Sequence, residues 1–197
     1  PGVPPITGWQ FTWDNCCRNA AITNITLPSS AGFTLRASMF PFIDPSTGVA
    51  IPADPCFDSS PEFKEQPKTI LCTGFPFSYS HNAADEELDE LVYSWGEPLD
   101  DFLTVYNPPV DPAPLTYVAP YSVTNPLPGS PTLNSSTGEI SYAANISGNF
   151  VTCVKVQAWK CNQLVSEIYR EVQVVLISCP SMPSSSIPNN PPTVEAP

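Results

Sequence analysis

Basic residues are scarce in this chain, with seven Lys and Arg against nineteen Asp and Glu, for a net charge of −12. That balance repels phosphate backbones and anionic lipid headgroups, so it argues against nucleic-acid binding. Histidine occurs once, at His81, and the seven cysteines contain no C-x-x-C pair, which removes zinc-ribbon and zinc-finger spacings. A lone histidine without partners reads as a turn or cap residue. There is no G-x-S-x-G and no cysteine–histidine pairing context for nucleophilic catalysis. No apolar run approaches the roughly 18 residues of a membrane span, so no membrane insertion is expected. The opening PGVPPITGWQ has neither the basic head nor the apolar core of a signal peptide, as expected of a piece of a longer chain.

Proline is abundant instead, 26 of 197 residues, and only 13% of residues are charged. Each proline removes a backbone donor and disfavours helix for its predecessor, while 42% hydrophobic residues are too many for a disordered chain. Short strands joined by proline-rich loops satisfy both facts, so the expected class is an all-β sandwich. Cys16, Cys17, Cys56, Cys72, Cys153, Cys161 and Cys179 scattered through such a chain point to an oxidising, extracellular setting and are all disulfide candidates. Adjacent Cys16 and Cys17 would face opposite ways on an extended strand and so staple two directions rather than bond each other. Cys153 and Cys161, eight positions apart, would lie roughly 25 Å apart if extended, beyond disulfide reach. Cys179, at the end of the last strand, and Cys72, in the first strand of the second unit, suit long-range staples.

Taken in order, WQFTW (9–13) and GFTLRASMF (32–40) alternate as strands, and Asp-Pro, Thr-Gly and Ser-Pro turns follow. A boundary is expected near residues 61–66, giving a first β unit, partial or complete, at 1–63 and a second, β-sandwich unit at 64–180. TILCTGFPFSY (69–79) and LVYSW (91–95) supply two strands of the second unit, residues 97–128 a long crossing excursion, and SPTLNSSTGEISY a turn between short strands. The strongest strands are GNFVTCVKVQAW and VSEIYREVQVVLIS, joined by KCNQL as a hairpin, and the core should be built on them. Residues 181–197 have the Pro/Ser/Asn composition of an extended linker.

The crowded stretch is HNAADEELDELVYSW (81–95), with five acids between Asp85 and Glu90. Carboxylates so close either stay solvated or are neutralised by a hard cation that takes oxygen ligands, typically calcium. Ala84, Leu88, Leu91, Val92 and Trp95 also fit a helical period, with Asn82 as N-cap, but the β-forming tail LVYSW favours a loop entering a strand. Paired carboxylates at Asp100/Asp101 or Glu167/Glu171 superficially suggest glycoside hydrolysis, yet nothing in the sequence turns two acids into one cleft. Asn24, Asn134 and Asn145 begin N-x-[ST] triplets that would mark surface loops in a secreted eukaryotic chain and are otherwise polar turns. Trp9, Trp13, Trp95 and Trp159 read as core residues, although exposure of Trp9 and Trp13 on one strand face would favour carbohydrate binding.

NAADEELDELVYS resembles the D-x-D-x-D-x-L-x-Y-S signature that precedes a core strand in cadherin-like and dystroglycan-type Ig-like domains, with Glu87 for the usual Asp and Leu88 for the usual Gly. That resemblance implies a calcium site at Asp85, Glu87 and Asp89, helped by Asn82. Over roughly residues 9–179, WDNCCRNAAITNI, SSPEFKEQPKTILCTGFPFSYSHNAADEELDELVYS, PYSVTNPLPGSPTLNSSTGEI and VKVQAWKCNQLVSEIYREVQVVLISC resemble, in order and spacing, gliding-motility-associated adhesin-like modules of Bacteroidota exported by type IX secretion. The resemblance implies tandem Ig-like or cadherin-like units, an extracellular, cell-surface location, and neighbouring repeats, a homo-oligomer or a filament as partners. The expected function is a non-catalytic structural or adhesive module; the alternative is a lectin-like domain binding a surface glycan or protein.

Overall fold

The computed structural model describes residues 3–51, 58–102 and 111–180. Cys56 and the linker-like 181–197 lie outside the described residues. Thirteen strands follow in chain order: β1 (Trp9–Asn15), β2 (Phe33–Met39), β3 (Phe42–Ile43), β4 (Ala50–Ile51), β5 (Glu62–Phe63), β6 (Ile70–Cys72), β7 (Pro76–Ser80), β8 (Ala83–Ala84), β9 (Glu90–Trp95), β10 (Thr132–Leu133), β11 (Glu139–Ala143), β12 (Gly148–Lys160) and β13 (Gln163–Ile177). No α-helix occurs among the described residues, and no helix is long and apolar enough to cross a membrane. The protein is all-β, and the acidic stretch forms a turn into β9 rather than the alternative helix.

β12 and β13 form the long hairpin expected from their alternation, closed by Cys161 and Asn162 at φ 48° and 63°. Two consecutive positive φ values match the twist of the flanking strands, which is why so tight a turn suffices. The hairpin anchors a six-stranded sheet in the order β1-β2-β13-β12-β9, with β6 running parallel to the end of β13. Ile168 of β13 pairs Ala37 of β2, so strands on both sides of the boundary expected at residues 63 and 64 share this sheet rather than forming two separate sandwiches. Backbone pairing of Ala37–Met39 with Ser166–Ile168 binds β1 and β2 into the same layer as β13.

A second sheet, β10-β11-β7, packs on one face of the first. Ile140 and Tyr142 of β11 bury Val154, Val156, Val172 and Val174, with Phe77 and Leu133 at the margin. The opposite face is covered by loops, where Ile22, Ile25, Leu115 and Tyr117 enclose Val151. With both faces covered, β12 is buried without interruption from Phe150 to Val154. Asn24, the first of the three N-x-[ST] asparagines, is completely buried here. Its amide donates to the carbonyls of Pro126 and Val151 and accepts from the Val151 N–H, so it is a loop anchor and not a surface turn.

Cys72 and Cys179 are disulfide-bonded, tying the end of β6 to the residues just after β13. Cys153 is buried and Cys161 exposed, and neither is bonded to the other. Cys16 and Cys17 are bonded to each other, contrary to expectation. β1 ends at Asn15, so the pair is not on an extended strand and its side chains need not face opposite ways.

Candidate cation cluster and exposed aromatic row

β8 ends at Ala84 and the chain turns back into β9 within five residues, which requires a local clamp. Asp85 provides it: its Oδ1 accepts the N–H groups of Glu87 and Asp89, each at 3.0 Å. Leu88 completes the turn at φ 63° and is 89% exposed, so it adopts the left-handed conformation at the position where the resembled signature has Gly. Glu87 reaches the other way, its carboxylate accepting the Ser59 hydroxyl at 2.7 Å and the Ser59 N–H at 3.2 Å. That contact brings Asp58 alongside Asp85. One carboxylate oxygen from each of Asp58, Asp85 and Glu87 lies within 4.8 Å of the others.

Of the four residues expected to ligate a cation, the structure therefore brings Asp85 and Glu87 together and adds Asp58. Asp89 faces Lys160, whose Nζ lies 3.4 Å from both Asp89 Oδ2 and Asp58 Oδ1. Asn82 donates to Glu65 Oε1 at 3.2 Å, away from the cluster. Asp58 lies 27 positions before Asp85, in a stretch of turn residues, and no sequence pattern links the two. Asp58 Oδ2 and Asp85 Oδ2 are buried without a hydrogen-bond partner, so the donor set is all-oxygen and incompletely satisfied, which suits a hard cation such as calcium. Asp58, Asp85 and Glu87 would hold it.

The electrostatics agree. Burial, together with the neighbouring Asp89, pushes Asp58 up to about 7, although Lys160 works against this. Burial also raises Asp85, partly offset by the Asp89 N–H. Glu87 is held low against its own burial by Ser59, and Lys160, despite burial, is held high by Asp58 and Asp89. One ammonium thus contacts two of the carboxylates, Asp58 and Asp89.

His81, expected at a turn or cap, is only 2% exposed. Its ring packs edge-on to Tyr79 and Phe63, with centroids at 5.3 and 6.1 Å, and burial plus the nearby Arg170 lowers its pKa to about 4. The two displaced groups act on stability with opposite signs. Asp58 binds its proton more tightly folded than unfolded, so its contribution falls as pH rises from about 4 to about 7. His81 binds its proton less tightly folded, so its contribution falls as pH drops from about 6.5 to about 4. With chelator present, Asp58→Asn should remove the first slope and leave stability that only declines on acidification below pH ~6.5, whereas His81→Phe should leave only the opposite slope. Urea midpoints measured across this pH range check it; parallel profiles for both variants would contradict it.

The other candidate carboxylates are occupied structurally. Asp100 Oδ1 accepts the Gly32 and Asp101 N–H groups, Glu171 pairs with Arg18, and Glu167 accepts from Gln157 and Tyr169.

A second feature lies on β1, the edge strand of the main sheet. Trp9, Phe11 and Trp13 alternate onto one face, opposite Met39, Ala37 and Leu35 of β2. Phe11 and Trp13 are 56% and 54% exposed, and Trp13 meets the Phe33 ring edge-on at 5.1 Å. Trp13 is therefore a surface residue, not the core residue expected, because the covering sheet does not extend over β1. Compared with protein-family models, curated proteins and solved structures, the chain matches none.

Proposed function

We propose that this chain is a non-catalytic, extracellular structural or adhesive module of a large bacterial cell-surface or filament protein, of the gliding-motility-associated, type IX-secreted kind that its sequence resembles. The observation that carries the adhesive role is the exposed pair Phe11 and Trp13, flanked by half-buried Trp9 on the same face, since neighbouring large apolar side chains left in water on one strand mark a contact surface. The Cys72–Cys179 bond supports an oxidising, extracellular setting. Beads coated with the protein and washed over polysaccharide and protein surfaces test it. Retention should exceed that of beads carrying the Phe11→Ser, Trp13→Ser variant, and equal retention would remove the adhesive role.

The same row favours a second reading, a lectin-like domain, because aromatic faces stack on the apolar faces of sugar rings. In either case the cluster of Asp58, Asp85 and Glu87 stiffens the entry to β9 when calcium binds. Cation binding confined to the folded state stabilises by about 2.7 kcal/mol at a hundredfold excess over Kd. Millimolar calcium should raise the melting midpoint relative to chelator, and Asp58→Asn combined with Asp85→Asn should abolish the shift. A shift that persists in the double variant would place the cation elsewhere.

A further inference from the structure

β1 is an edge of the main sheet, with β2 on one side and no strand on the other among the described residues. Which of its backbone groups face outward follows from β2. The Phe40 N–H donates to the Val165 carbonyl at 2.7 Å, in the same register that pairs Ser38 with Glu167. Even-numbered residues of β2 therefore turn their backbone groups toward β13, and the odd-numbered ones from Phe33 to Met39 turn theirs toward β1. Their partners Trp9, Phe11, Trp13 and Asn15 face inward, which directs the N–H and C=O groups of Gln10, Thr12 and Asp14 outward. Those of Thr12 and Asp14 have no backbone partner on that side among the described residues. We propose that β1 pairs edge to edge with β1 of a second copy of this chain, antiparallel and about a two-fold axis at Thr12; this names the partner of the contact surface proposed above and rests on that adhesive reading.

The edge carries few of the usual guards against pairing. β1 contains no proline, no lysine and no bulge, and its one charge, Asp14, lies near its end. The strand is also complementary to itself in one register. With Thr12 opposite Thr12, Phe11 of each copy lies across from Trp13 of the other, in the closely spaced pairs where side chains meet. Phe11 and Trp13 are 56% and 54% exposed, so the pairing shields four large rings on one face. Asp14 lies opposite Gln10, and the two Asp14 carboxylates stand four residues, about 13 Å, apart. The neighbouring registers are worse. Trp13 opposite Trp13 brings the two Asp14 onto a diagonal at about 7 to 8 Å, where like charges repel. Phe11 opposite Phe11 sets Asp14 against Gly8, whose N–H is already given to the Pro5 carbonyl at 2.7 Å. A second copy thus supplies backbone bonds and both aromatic pairs from a single surface, as a two-fold interface requires.

Sedimentation of the full chain between about 1 μM and 1 mM, the range of small transient interfaces, should show a monomer–dimer equilibrium. Each copy carries a net charge of −12, so the dimer should tighten several-fold as salt rises from about 0.05 to 0.5 M. Thr12→Pro removes an outward N–H, a change that an edge strand tolerates, and Thr12→Lys sets two like charges face to face. Each should raise the dimer Kd about tenfold. Melting midpoints confirm that the variants fold. Under mild oxidation Thr12→Cys should link to its own copy, because opposed residues at this position have Cα atoms about 5.5 Å apart, whereas Asp14→Cys should not. Non-reducing peptide mapping separates these links from those of the native cysteines. Self-linking of Asp14→Cys in preference to Thr12→Cys would overturn the register. A dimer that survives both Thr12→Pro and Thr12→Lys but is lost with Phe11→Ser, Trp13→Ser, or one that weakens as salt rises, would overturn the edge pairing. A chain still monomeric at about 1 mM whose beads hold to polysaccharide or protein surfaces would overturn the self-pairing and leave the adhesive role standing. A monomer whose beads are released as readily as those of the Phe11→Ser, Trp13→Ser variant would remove both.

Discussion

Replacing Cys72 and Cys179 together with serine should destabilise the fold by about 4 to 5 kcal/mol, a large share of what a domain of this size possesses. The bond joins residues 107 apart in sequence, and a cross-link over so long a loop removes much of the conformational freedom of the unfolded chain. It also holds β6 against the end of β13, where Ile70, Leu71 and Cys72 pair with Val175, Leu176 and Ile177. The internal comparison is the Cys16–Cys17 bond, which joins adjacent residues and closes almost no loop, so its double serine variant should lose far less. Denaturant midpoints for the two double variants, with non-reducing peptide mapping of the parent, decide the matter. Equal losses from both, or a Cys72 found linked elsewhere, would refute the assignment.

Arg18→Met should cost about 3 to 5 kcal/mol, because it leaves the Glu171 carboxylate buried without its counter-charge. The side chains of Arg18 and Glu171 are only 3% and 11% exposed, so water cannot replace the lost partner cheaply. The same change leaves the carbonyls of Gly32 and Leu99 without their guanidinium donors. Glu171→Leu on top of Arg18→Met should recover much of the loss, since removing both charges is far less costly than stranding one. A double-mutant cycle in urea measures the coupling. Additive losses would show that the pair does not act as a unit.

The strands were legible in the sequence wherever alternation was long and uninterrupted: β1, β2, β9, β12 and β13 fall where WQFTW, FTLRASM, LVYSW and the final hairpin alternate. The expected strand over 69–79 is interrupted by Gly74 at φ 84°, which divides it into β6 and β7. Cys72 and Cys179 could be singled out because one lies in the first strand of the expected second unit and the other at the end of the last strand. The cluster was only half legible, because Asp85 and Glu87 are local to one turn while Asp58 arrives through a contact with Ser59. Alternation placed Trp9, Phe11 and Trp13 on a common face. It could not tell whether that face was covered, which depends on where a different sheet ends. His81 lies in the short connection between β7 and β8, as its turn reading implied, but its burial against two aromatic rings near Arg170 depends on distant residues and was not legible.

The Cys72–Cys179 bond also fixes how this chain would transmit a pull. Tension applied through residues outside the bridge passes from one sulfur to the other and bypasses everything between them, including the whole β12–β13 hairpin. Only the segments outside the bridge feel the load, and the one before Cys72 yields by stripping β1 and β2 away from β13. The shielded segment would otherwise add roughly 36 nm of slack if drawn straight, 107 residues at about 3.4 Å each. In an oxidising medium the protein is therefore a short, stiff spring, and reduction converts it into a long, extensible one.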